Sequence, residues 1–189
     1  MQLSFALDEF VVFDLETTGL SPWGGDEIIE IGAMRIYGQE IDEKNFFHSL
    51  VNPKRFIPED STRVNGITND MVKEAPPVED VLPHFLEFLG GAKLVAQNAK
   101  FDMSFLMKHF LQMNLKKEIE VHDTIAYSKR AFPDAPRHNL DAIANRLGLS
   151  IGSGTRHRSL GDVHLTARAF LILKDRLGAG TPQPEKWSC

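Results

Sequence analysis

The sequence predicts a layered α/β domain with a mixed five-stranded sheet and helices on both faces. Three strand-like segments come first, and their connections are short enough for an antiparallel meander. Helical and strand-like segments then alternate along the rest of the chain, a pattern typical of α/β layers. The chain has 189 residues, which suits one domain with a sizeable core. We assign residues 1–177 to this domain and residues 178–189, rich in Gly and Pro, to a short flexible tail.

The predicted strands are apolar runs that end at Gly, Pro or polar turns. Residues 10–16 are rich in Val and Phe, which favours a central strand. The run EIIEIGAMRIYG ends at a Gly turn, and KNFFHSLVNP ends at Pro53. The five predicted strands are 10–16, 27–38, 44–53, 93–97 and 118–123.

The predicted helices carry apolar residues at helical spacing. In VEDVLPHFLEFLGG, for example, Val78, Phe85 and Leu89 share one face, and Gly follows the last of them. The predicted helices are 78–91, 100–113, 124–131, 139–147 and 161–177.

Composition excludes several classes of protein. No apolar run approaches the ~20 residues that span a bilayer, so we expect no membrane segment. The N-terminal residues MQLSFALDEF lack the basic start of a secretory signal. Cys189 is the only cysteine, so no intrachain disulfide is possible and the cytoplasm is the expected compartment.

The net charge of −5 argues against a protein that holds nucleic acid mainly through a basic surface. It leaves open a site at which bound cations supply the positive charge.

Acidic residues stand at positions where one divalent-cation site could collect them. Asp14 and Glu16 lie two residues apart in the first strand, so their side chains share a face. Asp102 and Asp162 fall in the first turns of two predicted helices, and His157 precedes Asp162 in a Gly-rich loop. Taken singly, each acid is better explained as a solvated strand end or as a carboxylate that favours the helix dipole.

Together these residues form an ordered pattern that resembles a known family. Asp14-Leu15-Glu16 is followed by TTGL, NAKFD ends at Asp102, and HRSLGD runs from His157 to Asp162. The chain thus resembles the DEDD exonucleases of ribonuclease H-like fold. It falls in their His-bearing (DEDDh) branch, which includes the proofreading epsilon subunits of bacterial DNA polymerase III. The sister branch carries Tyr where this chain has Arg158. IIEIGA, VNGIT and HNLDAIANRLGL add to a resemblance that covers about residues 8–177.

The resemblance implies a 3′–5′ exonuclease that releases nucleoside 5′-monophosphates. Asp14, Glu16, Asp102 and Asp162 would hold two divalent cations, Mg²⁺ or Mn²⁺, about 4 Å apart, which would also relieve the repulsion between the carboxylates. One ion would carry the attacking water and the other would stabilise the leaving 3′-oxygen. His157 is the expected base, because imidazole titrates near neutral pH.

Several residues are candidates to contact the terminal nucleotide, and each has a simpler structural explanation. The Thr17–Gly19 turn could present backbone N–H groups or be only a turn. Asn98 could line the pocket or cap the helix of Asp102, and Phe101 could stack on a base or belong to a core stripe with Phe105. Many relatives carry His where this chain has Asn65. The candidate contacts are Thr17, Thr18, Gly19, Asn65, Asn98 and Phe101.

The expected partners follow from the same resemblance. The first hypothesis is proofreading of single-stranded or frayed DNA 3′ ends beside a replicative DNA polymerase. Residues 2–7, QLSFAL, resemble peptides that bind sliding clamps, although a strand or an apolar staple onto the domain is the preferred explanation. A stand-alone exonuclease on RNA or repair intermediates is the second hypothesis. The third is a catalytically silent nucleic-acid-binding module, which the five compatible residues argue against.

Overall fold

The computed structural model describes residues 8–150 and 158–188. Two sequence predictions therefore lie outside the described residues, namely the role of His157 and the clamp-binding role of residues 2–7. Within the described ranges, no helix combines the length and the apolar character needed to cross a bilayer.

The fold is a mixed sheet with helices on both faces, as the sequence predicts. In the described part of the chain the strand order is β3-β2-β1-β4-β5-β6. β1 pairs in parallel with β4 and β4 with β5, whereas the other neighbours are antiparallel. The strands are β1 (Glu9–Thr17), β2 (Ile28–Tyr37), β3 (Glu40–Leu50), β4 (Lys93–Ala96), β5 (Glu118–Asp123) and β6 (Glu185–Ser188). The helices are α1 (Glu59–Asn65), α2 (Asn69–Val72), α3 (Val78–Leu89), α4 (Ala99–Gln112), α5 (Thr124–Ala131), α6 (Leu140–Arg146) and α7 (Ser159–Leu177).

The sheet has one strand more than the sequence predicts, and this strand comes from the segment expected to be a flexible tail. Glu185–Ser188 pairs antiparallel with the edge of β5, with Trp187 opposite Ile119. Trp187 is half-buried and packs on the core, which anchors the segment. The four residues EKWS carry no alternating apolar pattern, so the sequence gives no strand signal there.

Two further elements were not expected from the sequence. α1 and α2 lie between β3 and α3, where the sequence shows no apolar repeat of helical length. Thr68 caps α2, its hydroxyl accepting a hydrogen bond from the Met71 N–H. α1 matters for the site described below because it ends at Asn65.

Strand β1 divides the core between the two faces of the sheet. Val11 and Phe13 point into a cluster with α3 and α4, whereas Phe10 and Val12 point into a second cluster with α6 and α7. Because side chains alternate along a strand, the positions that follow Phe10 and Val12 on the α7 side are 14 and 16. The apolar packing of β1 therefore directs two carboxylates towards α7.

Candidate active site

Three carboxylates converge where the end of β1 meets the start of α7. Oxygen atoms of Asp14, Glu16 and Asp162 all lie within 4.8 Å of one another, in the only such acidic group found among the described residues. Asp162 is buried in the first turn of α7. The alternation of β1 and the packing of α7 thus bring together residues that are far apart in sequence.

Glu16 has the most strongly perturbed electrostatics of the three. Burial, reinforced by the nearby charges of Glu30 and Asp162, raises its pKa to about 7. A hydrogen bond from the Asn65 side chain and the charge of Arg158 lower the pKa, but they do not outweigh burial. A cation bound beside Glu16 would stabilise the charged form of this carboxylate.

Asp102 lies next to this cluster without belonging to it. It is 2% exposed in the first turn of α4, and its Oδ1 accepts a hydrogen bond from the Leu15 N–H at 3.1 Å. Burial raises the pKa of Asp102 well above its usual range, and the charges of Glu16 and Asp123 act in the same direction. Its hydrogen bond ties α4 to the β1 backbone between Asp14 and Glu16.

The loop after β1 is held by its own side chains. Thr17 Oγ1 donates to the Gly19 carbonyl at 2.6 Å. Thr18 Oγ1 donates to Asp26 at 3.2 Å and accepts from the Glu27 N–H at 3.0 Å. A Cβ on Gly19 would lie 2.4 Å from an oxygen of the Asp26 carboxylate, so a larger residue here would force the Asp26 side chain to move. The predicted turn is therefore held by its own hydrogen bonds next to the carboxylates.

A cleft of about 530 Å³ opens next to Glu16. Five of the six candidate nucleotide contacts named from the sequence line this cleft. Phe101 also packs against Phe105, with ring centroids 5.2 Å apart and the rings tilted by 57°, as the core explanation expects. Its contact with a base stays a prediction. The predicted lining residues are Thr17, Thr18, Gly19, Asn65 and Phe101. The sequence reading missed the apolar residues Leu20 and Val64, which are 84% and 60% exposed at this cleft.

Asn98 begins α4 but does not cap it with its side chain. Its backbone has φ of 63°, an uncommon value for a residue other than glycine, and its N–H donates to Asp123 Oδ1 at 3.1 Å. Asp123 also accepts from the Ile125 N–H, as expected of a cap for α5. Asn98 does not line the cleft at Glu16, so its contact with substrate remains a prediction.

A fifth carboxylate, Glu30 of β2, is the main feature that sequence reasoning missed. It is fully buried, lies opposite Glu16 in the β1–β2 register, and pairs with Arg158 at 2.6 Å. The available signal was a single acid within the apolar run IIEIGA, because an isolated charge in a buried strand requires a partner.

The described residues fit a divalent cation. Hard cations prefer carboxylate oxygens, and three carboxylates within 4.8 Å of one another supply them. Burial and the like charges of Glu30 and Asp162 disfavour the charged form of Glu16, which a cation would relieve.

The mixed sheet and its carboxylate cluster agree with the ribonuclease H-like exonuclease fold that the sequence predicts. The chain belongs to the exonuclease family (RNase_T), whose sequence model matches residues 11–170. This membership confirms the predicted family, the exonucleases. Exonucleases of this family generally use divalent metal ions.

Individual relatives agree with the family assignment. The chain is 47% identical over 170 residues to a DNA polymerase III subunit epsilon-like protein of Rhodobacter capsulatus, covering 90% of this chain and 24% of that protein. It is 34% identical over 169 residues to the DNA polymerase III subunit epsilon of Rickettsia felis, covering 86% of this chain and 72% of that protein. The chain thus spans about a quarter of the first relative and most of the second.

Solved structures show the same fold. Exonuclease X in complex with 5′ overhanging duplex DNA superposes with a TM-score of 0.73 at 27% identity, covering 89% of this chain and 93% of that one. The nuclease domain of 3′hExo, a DEDDh family member bound to rAMP, gives a TM-score of 0.78 at 22% identity. That superposition covers 97% of this chain and 99% of the other, and it supports the fold alone.

Proposed function

We propose that this exonuclease is metal-dependent and removes nucleoside 5′-monophosphates one at a time from DNA 3′ ends, in the service of proofreading. The observation that carries the proposal is the convergence of Asp14, Glu16 and Asp162 beside a cleft of about 530 Å³. The likeness to two epsilon-type proteins supports DNA and a replicative polymerase as substrate and partner.

The carboxylates are the proposed cation ligands. Asp14, Glu16 and Asp162 would hold the cations directly, and Asp102 would complete the set from α4. Two divalent ions at such a site supply an activated water and stabilise the charge on the leaving oxygen. Asn65, whose side chain hydrogen-bonds Glu16, is the proposed group that holds this carboxylate in place.

The cleft residues would hold the terminal nucleotide. Phe101, Leu20 and Val64 offer apolar contacts to a base, and stacking of this kind tolerates any base. The Thr17–Gly19 backbone and Asn65 line the same cleft as these apolar residues and Glu16, and they are the proposed contacts to the sugar and phosphate. Asn98 is retained as a proposed contact at the start of α4.

His157 is the proposed general base. It directly precedes Arg158, which itself lies at the N-terminus of α7 one turn before Asp162. An imidazole is suited to take a proton from water near neutral pH. The proposed clamp contact of residues 2–7 rests on the sequence pattern QLSFAL alone.

A gel assay tests the function. The purified protein is incubated with 5′-labelled single strands of DNA or RNA, in Mn²⁺ or in EDTA. We expect a ladder that shortens from the 3′ end, faster on DNA, and only with metal. Faster degradation of RNA would redirect the proposal to RNA processing, and no ladder on either strand would favour a silent binding module.

The variant Asp14→Ala tests whether Asp14 is a metal ligand, and Asp42→Ala, on strand β3, is its control. Asp14→Ala is expected to abolish the ladder while leaving the melting temperature equal or higher, because it removes a repelling charge. Wild-type turnover by Asp14→Ala would contradict the ligand assignment.

A further inference from the structure

Glu30 is hydrogen-bonded by three residues from two parts of the chain. Arg158 Nη2 and Nε donate to its Oε1 at 2.6 and 3.1 Å. The Ser159 N–H donates to Oε2 at 2.9 Å, and His48 Nε2 lies 2.9 Å from Oε1. Both carboxylate oxygens are therefore engaged, which is what a fully buried charge needs.

Two of these donors belong to the start of α7. Arg158 occupies the N-cap position of that helix, and its side chain makes no capping hydrogen bond. The first N–H groups of a helix need acceptors from outside the helix. Glu30, reaching across from β2, supplies an acceptor to Ser159 and so takes over part of the function of a cap.

Gly32 allows the same helix turn to approach β2 closely. A Cβ at this position would lie 2.4 Å from Ser159 Oγ and 2.9 Å from the Ser159 carbonyl carbon. Glu30 and Gly32 are two residues apart on one strand, so both face α7. Together they form a socket on β2 for the first turn of the helix, one residue binding it and the other leaving room for it.

This docking site has a direct consequence for the metal ligands. Asp162 lies one helical turn beyond Ser159, and its carboxylate must come within reach of Asp14 and Glu16 on the neighbouring strand. A shift of the first turn of α7 would displace Asp162.

We propose that Glu30 is a positioning residue for catalysis, which docks the first turn of α7 through Arg158 and Ser159 and so sets Asp162 against Asp14 and Glu16. This inference rests on the proposed function and adds to it a residue outside the ligand set. Groups that hold metal ligands in place typically change metal affinity or activity about 10- to 100-fold when removed.

The test compares Glu30→Gln with Glu43→Gln. Glu43 pairs with His164, so it also joins the sheet to α7, but it is exposed and contacts neither Arg158 nor Ser159. Three quantities are measured on each folded variant: kcat on single-stranded DNA, KM for that DNA, and Mn²⁺ affinity by calorimetry without DNA. Glu30→Gln should lower kcat and Mn²⁺ affinity about 10-fold or more and leave KM within twofold. Glu43→Gln should leave all three within twofold.

Arg158→Gln is the second variant, because Arg158 is partly exposed and its loss leaves the core intact. It should lower kcat and Mn²⁺ affinity, as Glu30→Gln does. An increase confined to KM would mean that Arg158 contacts substrate phosphate, and would overturn the docking role. The docking role would also be overturned if Glu30→Gln kept wild-type kcat and Mn²⁺ affinity. If Glu30→Gln does not fold, the same result in Arg158→Gln would overturn it. An inactive wild-type protein would instead refute the proposed function itself.

Discussion

Glu16 and Glu30 lie opposite each other in the β1–β2 register, yet their environments drive them to opposite states. Burial raises the pKa of Glu16 to about 7. Burial also acts to raise the pKa of Glu30, but hydrogen bonds from His48, Arg158 and Ser159 outweigh it and lower the pKa to about 2. The protein thus compensates one carboxylate with its own donors and leaves the other dependent on a cation. This difference in pKa distinguishes Glu30, a structural carboxylate, from Glu16, a proposed metal ligand on the neighbouring strand.

The largest expected effect is on activity at Glu16. Glu16→Gln keeps the shape of the side chain but removes the charge that a cation would bind, so kcat should fall on the order of 10³-fold. Glu9→Gln, at the other end of β1, is the control and should stay within twofold of wild type. Steady-state cleavage of single-stranded DNA measures both, and near-normal activity in Glu16→Gln would remove Glu16 from the ligand set.

A second expected effect is on how metal-free stability varies with pH. Because the pKa of Glu16 is raised, the folded protein keeps a proton on Glu16 at pH values where the unfolded chain has released it, from about pH 4.5 upwards. The free energy of unfolding should therefore fall as pH rises from about 4.5 to 7. The lowered pKa of Glu30 acts in the opposite sense, and its stabilisation is lost only as pH falls from about 4.5 towards 2.

Urea unfolding in EDTA at a series of pH values measures this profile. In Glu16→Gln the decline between pH 4.5 and 7 should be smaller than in wild type, and Mn²⁺ should raise wild-type stability more at pH 8 than at pH 5. Identical profiles for the two proteins would contradict the assigned state of Glu16.

The smallest expected effect is at His48. His48→Ala removes one donor from Glu30 while Arg158 and Ser159 remain, so the free energy of unfolding should fall by about 1 kcal/mol. Activity should stay within about threefold of wild type, because the start of α7 keeps its contacts. Thermal melting and the cleavage assay check both values, and a loss of activity as large as in Glu30→Gln would place His48 in the catalytic arrangement.

The sequence predicts much of this arrangement because its strongest signals are local. The two-residue spacing of Asp14 and Glu16 fixes their shared face wherever β1 lies, and the first turns of α4 and α7 are readable from apolar periodicity. The resemblance to a known family then orders these pieces into one site. The cleft residues Thr17–Gly19 and Asn65 follow from the same motifs.

The features that the sequence did not reveal depend on tertiary contacts. The partners of Glu30 come from β3 and from the start of α7, and their separation in sequence gives no local pattern. β6 is defined by its pairing with β5 and by the packing of Trp187 rather than by an intrinsic strand signal. The left-handed backbone of Asn98 likewise depends on where β4 meets α4.

The most direct test of the contrast between the two glutamates is the free energy of unfolding of Glu16→Gln and Glu30→Gln, in EDTA at pH 8. Glu16→Gln should be more stable than wild type by about 1 kcal/mol, because it removes a buried charge that its neighbours compensate only in part. Glu30→Gln should be less stable by about 1–3 kcal/mol, because it leaves Arg158 and its neighbours without their acceptor. Changes of the same sign in the two variants would contradict the view that the chain compensates Glu30 itself and leaves Glu16 for a metal.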